Sequence, residues 1–141
     1  MPGARSGLMH DDYRMKLHSP SDAPSVSGGY SQGVEIVGPG RWLYISGQIP
    51  TTTTDDVASD FETQCRQVWA NVKAVLTSAG MTTQDLVKVT TYLSDRCYRQ
   101  ANSLIRREEL DGVAPALTVV ISVIYNESWL LEIEAIAFQA T

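Results

Sequence analysis

At 141 residues and 43% hydrophobic content, the chain suits one domain of ordinary size with a packed core. A formal charge of -5 and a pI near 4.9 argue against nucleic-acid binding, which needs a basic face to displace counterions. No apolar run is long enough for a membrane helix, no apolar leader core follows the start, and Cys65 and Cys97 are too few for a disulfide framework; a cytoplasmic protein with reduced thiols is expected.

Residues 1–13 lack periodicity and read as a flexible N-terminal extension, leaving 14–141 as the single domain. Residues 14–18 suit a short edge strand, and 19–29, rich in Ser, Pro, Asp and Gly, a loop. Strands are expected over 31–37 and 42–49, joined as a hairpin across Gly38-Pro39-Gly40-Arg41. Pro50 ends the second, because it has no N–H to give a ladder. Val57, Phe61, Cys65, Val68, Trp69, Val72, Val75, Leu76 and Ala79 then form one apolar stripe at three- and four-residue spacing. This predicts a helix over 57–79, capped by Asp55 or Asp56 and stopped by Gly80 in the left-handed region.

Residues 86–93 are β-branched and strand-like, and Asp95 offers a cap for a second helix over 98–110. A strand over 117–125, a turn at Asn126-Glu127-Ser128 and a strand over 129–139 complete the order β-β-β-α-β-α-β-β. This is an α+β plan, with two helices on one face of a sheet. The strand from Leu117 is apolar on both faces, yet two helices cover only one, so the uncovered face predicts an oligomer. Arg96, Arg99, Arg106 and Arg107 sit among Asp95, Glu108, Glu109 and Asp111 and read as a mixed-charge helix surface.

The segments Gly29-Tyr30-Ser31-Gln32-Gly33, Ile45-Ser46-Gly47-Gln48-Ile49-Pro50 and Leu86-Val87-Lys88-Val89-Thr90-Thr91-Tyr92-Leu93 follow one another in order. With the long helix, Asn102, Pro115 and Glu132, they resemble the RidA/YjgF family over residues 14–141. The resemblance implies a chorismate-mutase-like mixed sheet, a homotrimer built around a central barrel, and three clefts between subunits. It also implies a cofactor-free hydrolase or deaminase acting on reactive imines and enamines. A fold alone does not establish chemistry, so a small-ligand-binding or regulatory trimer and a ribonuclease stand beside it. The acidic charge disfavours the ribonuclease.

Five residues are candidates for the site. Glu132 shares a strand face with Glu134, where bordering apolar side chains would favour proton transfer; the resemblance gives Glu132 the water. Its alternative is a solvated or ion-paired strand residue. Tyr30 could wall a cleft or be a half-buried Tyr bonded to backbone. Ser46, beside Gly47, could orient a ligand or simply bond a strand end, and has no evident His to make it a nucleophile. Asn102 could bond a ligand or only flank a helix. Leu117, fifteen positions before Glu132, falls where the family's deaminases carry the Arg that grips a substrate carboxylate. Leu offers no donor, so standard 2-imino acid hydrolysis should be weak unless another Arg enters; equally, Leu117 could fill core. Cys65 reads as core, and Cys97 as structural, near a helix start where a thiolate is favoured. No metal-ligand spacing, phosphate loop or dinucleotide fingerprint is present, so neither metal nor cofactor is expected.

Overall fold

A computed structural model describes residues 15–26 and 28–141; the extension expected over 1–13 lies outside them. Among the described residues, six strands and two α-helices follow in order: β1 (Met15–His18), β2 (Gly33–Ile36), β3 (Gly40–Gln48), α1 (Phe61–Ser78), β4 (Leu86–Leu93), α2 (Arg99–Leu110), β5 (Ala116–Ile121) and β6 (Leu131–Ala140). The main sheet has the order β3-β6-β4-β5. Three of its strands run antiparallel, while β4 and β5 pair in parallel with α2 as the crossover, which makes an α+β fold with a mixed sheet.

The hairpin expected across Gly38-Pro39-Gly40-Arg41 does not form. The ladder partner of β2 is β1, with Met15 opposite Ile36, and that of β3 is β6, with Gly40 opposite Ala140. Pro39 cannot donate, and its carbonyl instead accepts from the Thr141 N–H at 3.3 Å, tying the turn to the C-terminus. The segment before β2 is anchored on the far edge of the main sheet. There Ser31 bridges Ala116 in parallel, its N–H donating to the Pro115 carbonyl at 3.1 Å and its hydroxyl to that of Ala114 at 2.8 Å.

Helix α1 starts later than expected. Residues 51–57 close on themselves through a Thr51–Val57 bridge, and Asp55 takes a left-handed φ of 63°. The cap is Asp60, whose carboxylate accepts from the Thr63 N–H at 2.9 Å and is held below the usual carboxylate range by that bond. At the other end Gly80 takes the left-handed φ of 71° that the stop requires. The stripe then buries Phe61, Cys65, Val68, Trp69, Val72 and Leu76 against Val89, Leu93, Ile133, Ala135 and Ala137 of the sheet. Burial pushes the Cys65 thiol up to about 12, as expected of a core cysteine.

Asp95 accepts from the Cys97 N–H at 2.8 Å and caps a short 3-10 turn, Arg96–Tyr98, that leads into α2. Strand β5 is shorter than predicted. After the Ser122 N–H bonds the Leu93 carbonyl at 2.9 Å the chain leaves the sheet, and Val123 and Tyr125 stand 94% and 95% exposed. The turn at Asn126 forms, with its side chain accepting from the Ser128 N–H at 2.8 Å, and postpones β6 to Leu131.

Candidate functional site

Strand register decides which candidates can meet. Val89, fully buried under the helices, lies opposite Leu117 on one side and Ala135 on the other. Directly opposed residues share a face, so Leu117 points to the helix side. Tyr92 lies opposite Glu132 and, by the alternation of the strand, points to the other side. Leu117 and Glu132 are therefore on opposite faces of one sheet, and no single copy of the chain can place both against one small molecule.

On the helix side, an open cleft of about 930 Å³ lies between the edge of β5, the loop before β2 and α2. It brings together three candidates, Tyr30, Asn102 and Leu117. Tyr30 is half-buried, positioned by the neighbouring Ser31 bonds to the loop before β5. Asn102 is 2% exposed, and its Oδ1 has no hydrogen-bond partner among the described residues. Leu117 packs against the core and also lines the cleft.

The reading of the arginines as a mixed-charge surface holds for Arg96, Arg99 and Arg107, which are exposed with Asp95, Glu108 and Asp111, but not for Arg106, which is buried. The acids of α2 turn toward α1: Glu108 bonds Arg66 at 2.9 Å and Glu109 bonds Lys73 at 3.1 Å. Arg96, Arg99 and Arg106 line the cleft, and the wall contains no carboxylate. Arg106 is 5% exposed, and its Nε lacks a hydrogen-bond partner among the described residues. Burial lowers its pKa, the adjacent Arg107 lowers it further, and Tyr30 opposes both. Sequence reasoning passed over this residue as one arginine in a charged run. The signal available was its position one helical turn past Asn102, on the same face.

On the open side, Ser46 lines a shallow pocket with Glu134, and its neighbour Gly47 lies against Glu132. A bulge in β3 between Ile45 and Gln48 sets Gly47 against Glu132, so closely that a methyl group at Gly47 would collide with the Glu132 carboxylate. Ser46 is exposed beside it. Glu132 is half-buried and makes no ion pair or hydrogen bond with any described residue. Its neighbour Glu134 accepts from the Tyr92 hydroxyl at 2.7 Å, a bond that raises the phenol's pKa. The two carboxylates thus share a face, but among the described residues only Glu134 has a hydrogen-bond partner. This face also leaves Trp42 49% and Tyr44 73% exposed.

Cys97 lines the cleft, but its thiol is pushed up by its hydrogen bond to the Asp95 carboxylate, which overrides the preference for thiolate expected near a helix start. Among the described residues, no group of His, Cys, Asp and Glu side chains could hold a metal ion, and no helix is long and apolar enough to cross a membrane.

This fold, with an acid on one sheet face and a polar cleft on the other, defines an α+β protein of the Rid type. Residues 20–139 match the family described as Endoribonuclease L-PSP, and the chain belongs to that family, in which the RidA/YjgF proteins fall. It is 37% identical over 120 residues to a RutC family protein of Pyrococcus horikoshii, covering 84% of this chain and 93% of that one. It is 38% identical over 81 residues to the 2-iminobutanoate/2-iminopropanoate deaminase of Escherichia coli, covering 57% and 61%. Among solved structures, the Rid family protein YyfB of Yersinia pestis superposes with a TM-score of 0.79 at 29% identity, covering 89% of this chain and 99% of that one. Escherichia coli TdcF with bound serine gives 0.66 at 29%, covering 89% and 99%.

Proposed function

We propose that the chain works as a homotrimer. In this assembly the cleft holding Tyr30, Asn102 and Leu117 is closed by the Ser46–Gly47–Glu132 ledge of a neighbouring copy. The reading is carried by the placement of Leu117 and Glu132 on opposite faces of one sheet, which lets them share a ligand only across a subunit boundary. The exposed Trp42 and Tyr44 on the face around Glu132 support burial of that face in an assembly.

The chemistry is hydrolysis of a small C=N compound without a cofactor. Glu132, without a hydrogen-bond or ion-pair partner among the described residues, takes a proton from water as the water oxygen bonds to the imine carbon. The C=N π pair moves to nitrogen. Glu132 returns that proton to the nitrogen to give the neutral carbinolamine, then takes the carbinolamine hydroxyl proton and delivers it to the nitrogen as the C–N bond breaks, leaving a carbonyl compound and ammonia. Ser46, Tyr30 and Asn102 orient the substrate. Leu117 removes the strand-borne guanidinium, so this is not a standard 2-imino acid deaminase. The family relationship to a named imine deaminase supports the reaction class.

Ammonia release from imines generated in place is the test. Turnover should fall by about 10²- to 10⁴-fold in Glu132→Gln, the usual contribution of a positioned acid–base group. Equal rates in the two proteins would remove Glu132 from the chemistry. Leu117 also favours a second reading, a trimer that binds a small ligand without turning it over. Ligand-dependent melting shifts with no ammonia from any imine would select it.

A further inference from the structure

Two side chains of opposite charge, Arg106 and Glu132, lack partners among the described residues. Arg106 is 5% exposed, its Nε is unsatisfied, and its guanidinium makes no ion pair there. A guanidinium is always charged and carries five N–H donors, so its burial in a lone chain is costly. Glu132 is half-buried beside the like-charged Glu134 and has no hydrogen bond or ion pair there either. The acids near each of them are already engaged. Glu134 accepts from Tyr92, Asp95 accepts from the Cys97 N–H, and Glu108 and Glu109 pair with Arg66 and Lys73. The other cations have outlets: Arg96 and Arg99 are exposed to water, and Lys88, on the Glu132 face, donates to the Thr118 hydroxyl at 2.6 Å. Arg106 lines the cleft on the helix side of the sheet, whereas Glu132 lies on the open side, so the two cannot meet within one chain.

We propose that Arg106 is a positioning residue that pairs with Glu132 of the neighbouring copy, one such pair at each subunit boundary. The proposal rests on the assembly described under the proposed function and deepens it by naming the group that holds the acid. Gly47 lies against the carboxylate within its own chain, and the guanidinium grips it from across the boundary, leaving an oxygen for the water. The buried cation of the cleft is thereby committed to the protein's own acid instead of to a substrate anion. The pair also sets the protonation of Glu132. Around it on its own sheet stand Glu134, Tyr92, Tyr44 and Lys88, and across the boundary Tyr30, Cys97, Arg96 and Arg99, with Arg107 beside Arg106. Glu134 and burial in the closed boundary favour the protonated acid, and Arg106 favours the carboxylate that a base requires.

Two measurements on the full chain test the pair, one of them independent of turnover. The first is the pH dependence of kcat/KM for ammonia release, whose acid limb reports the free protein's base. Arg106→Gln should move that limb up by about 1–3 pH units, the effect of an adjoining cation on a carboxylate, while Arg106→Lys should hold it near the parent's position. An Arg106 that only filled space would lower the rate at every pH and leave the limb where it stands. The second is a double-mutant cycle in thermal melting at neutral pH. Arg106→Gln and Glu132→Gln should each lower the melting temperature, because each leaves an unpaired charge in the boundary, and the double variant should melt no lower than either one.

Additive losses in the melting cycle would overturn the pairing, as would an acid limb that Arg106→Gln does not move. Sedimentation of the parent and the variants separates the levels of failure. A parent that is a single copy at every concentration removes the assembly and the pair together. A trimer that loses turnover in Glu132→Gln, yet shows no coupling between the two sites, removes the pair alone. Coupled melting in a trimer that releases no ammonia from any imine keeps the pair and removes the hydrolase.

Discussion

Replacing Gly47 by Ala tests how the acid is held. An added Cβ would overlap the Glu132 carboxylate and lie 2.8 Å from its Cδ and 3.2 Å from its Cγ, while no backbone atom is among its three nearest neighbours. Gly47 has no left-handed φ, so Ala brings no backbone strain. Overpacking of this kind costs about 1–3 kcal/mol, and because the obstacle is a half-exposed, flexible side chain the low end applies, about 1 kcal/mol. The methyl should be accommodated by swinging Glu132 away from the ledge. Activity should then fall like that of Glu132→Gln, by about 10²-fold or more, although the protein loses little stability. A double-mutant cycle isolates the cause. In a Glu132→Ala background the obstacle is gone, so Gly47→Ala should cost close to nothing in urea denaturation. An equal cost in both backgrounds would refute the argument that the carboxylate rests on Gly47.

Gly40→Ala should cost more than Gly47→Ala in the same urea assay, because there the added methyl meets the buried Phe138 ring and, at 2.6 Å, the Gln139 carbonyl, neither of which can swing aside. Gln64→Leu should destabilise by about 3 kcal/mol in denaturant unfolding: Gln64, 1% exposed, donates to the Ala58 and Ser128 carbonyls and accepts from the Leu130 N–H, and leucine strands all three. Asp60→Ala should lower the melting temperature at neutral pH. Asp60 is held below the ordinary carboxylate range in the folded chain, so its contribution is present above about pH 4 and is lost as pH falls through the folded value; the gap between parent and variant should close on acidification. With a disulfide thiol reagent, Cys97 should react in the native protein and buried Cys65 only after unfolding. Asp95→Asn should speed the Cys97 reaction, because the bond that raises its thiol's pKa is weakened.

Local patterns were legible where one element's own residues sufficed. The stripe from Phe61 to Leu76 named its buried face because a helix fixes that face by spacing alone. Gly80 and Asp95 declared an end and a cap for the same reason. The common face of Glu132 and Glu134 followed from strand alternation, and the exposed apolar sheet face from the composition of the strand after Pro115. Partnership was not legible. Whether β2 pairs with β1 or β3 depends on ladders between segments that the turn between them does not dictate, and here Pro39 faces the C-terminus instead. The opposite facing of Leu117 and Glu132 required the register of three strands, because one residue of slip would exchange the faces. Arg106 reads as a surface charge in a run of charges, and its burial arises only when the loop carrying Tyr30 and the edge of β5 close over α2. Sequence thus determined the elements, their apolar faces and the residue types available for chemistry, since these depend on neighbours a few positions apart. Tertiary structure alone decided which of those residues meet, because that depends on contacts between segments far apart in the chain.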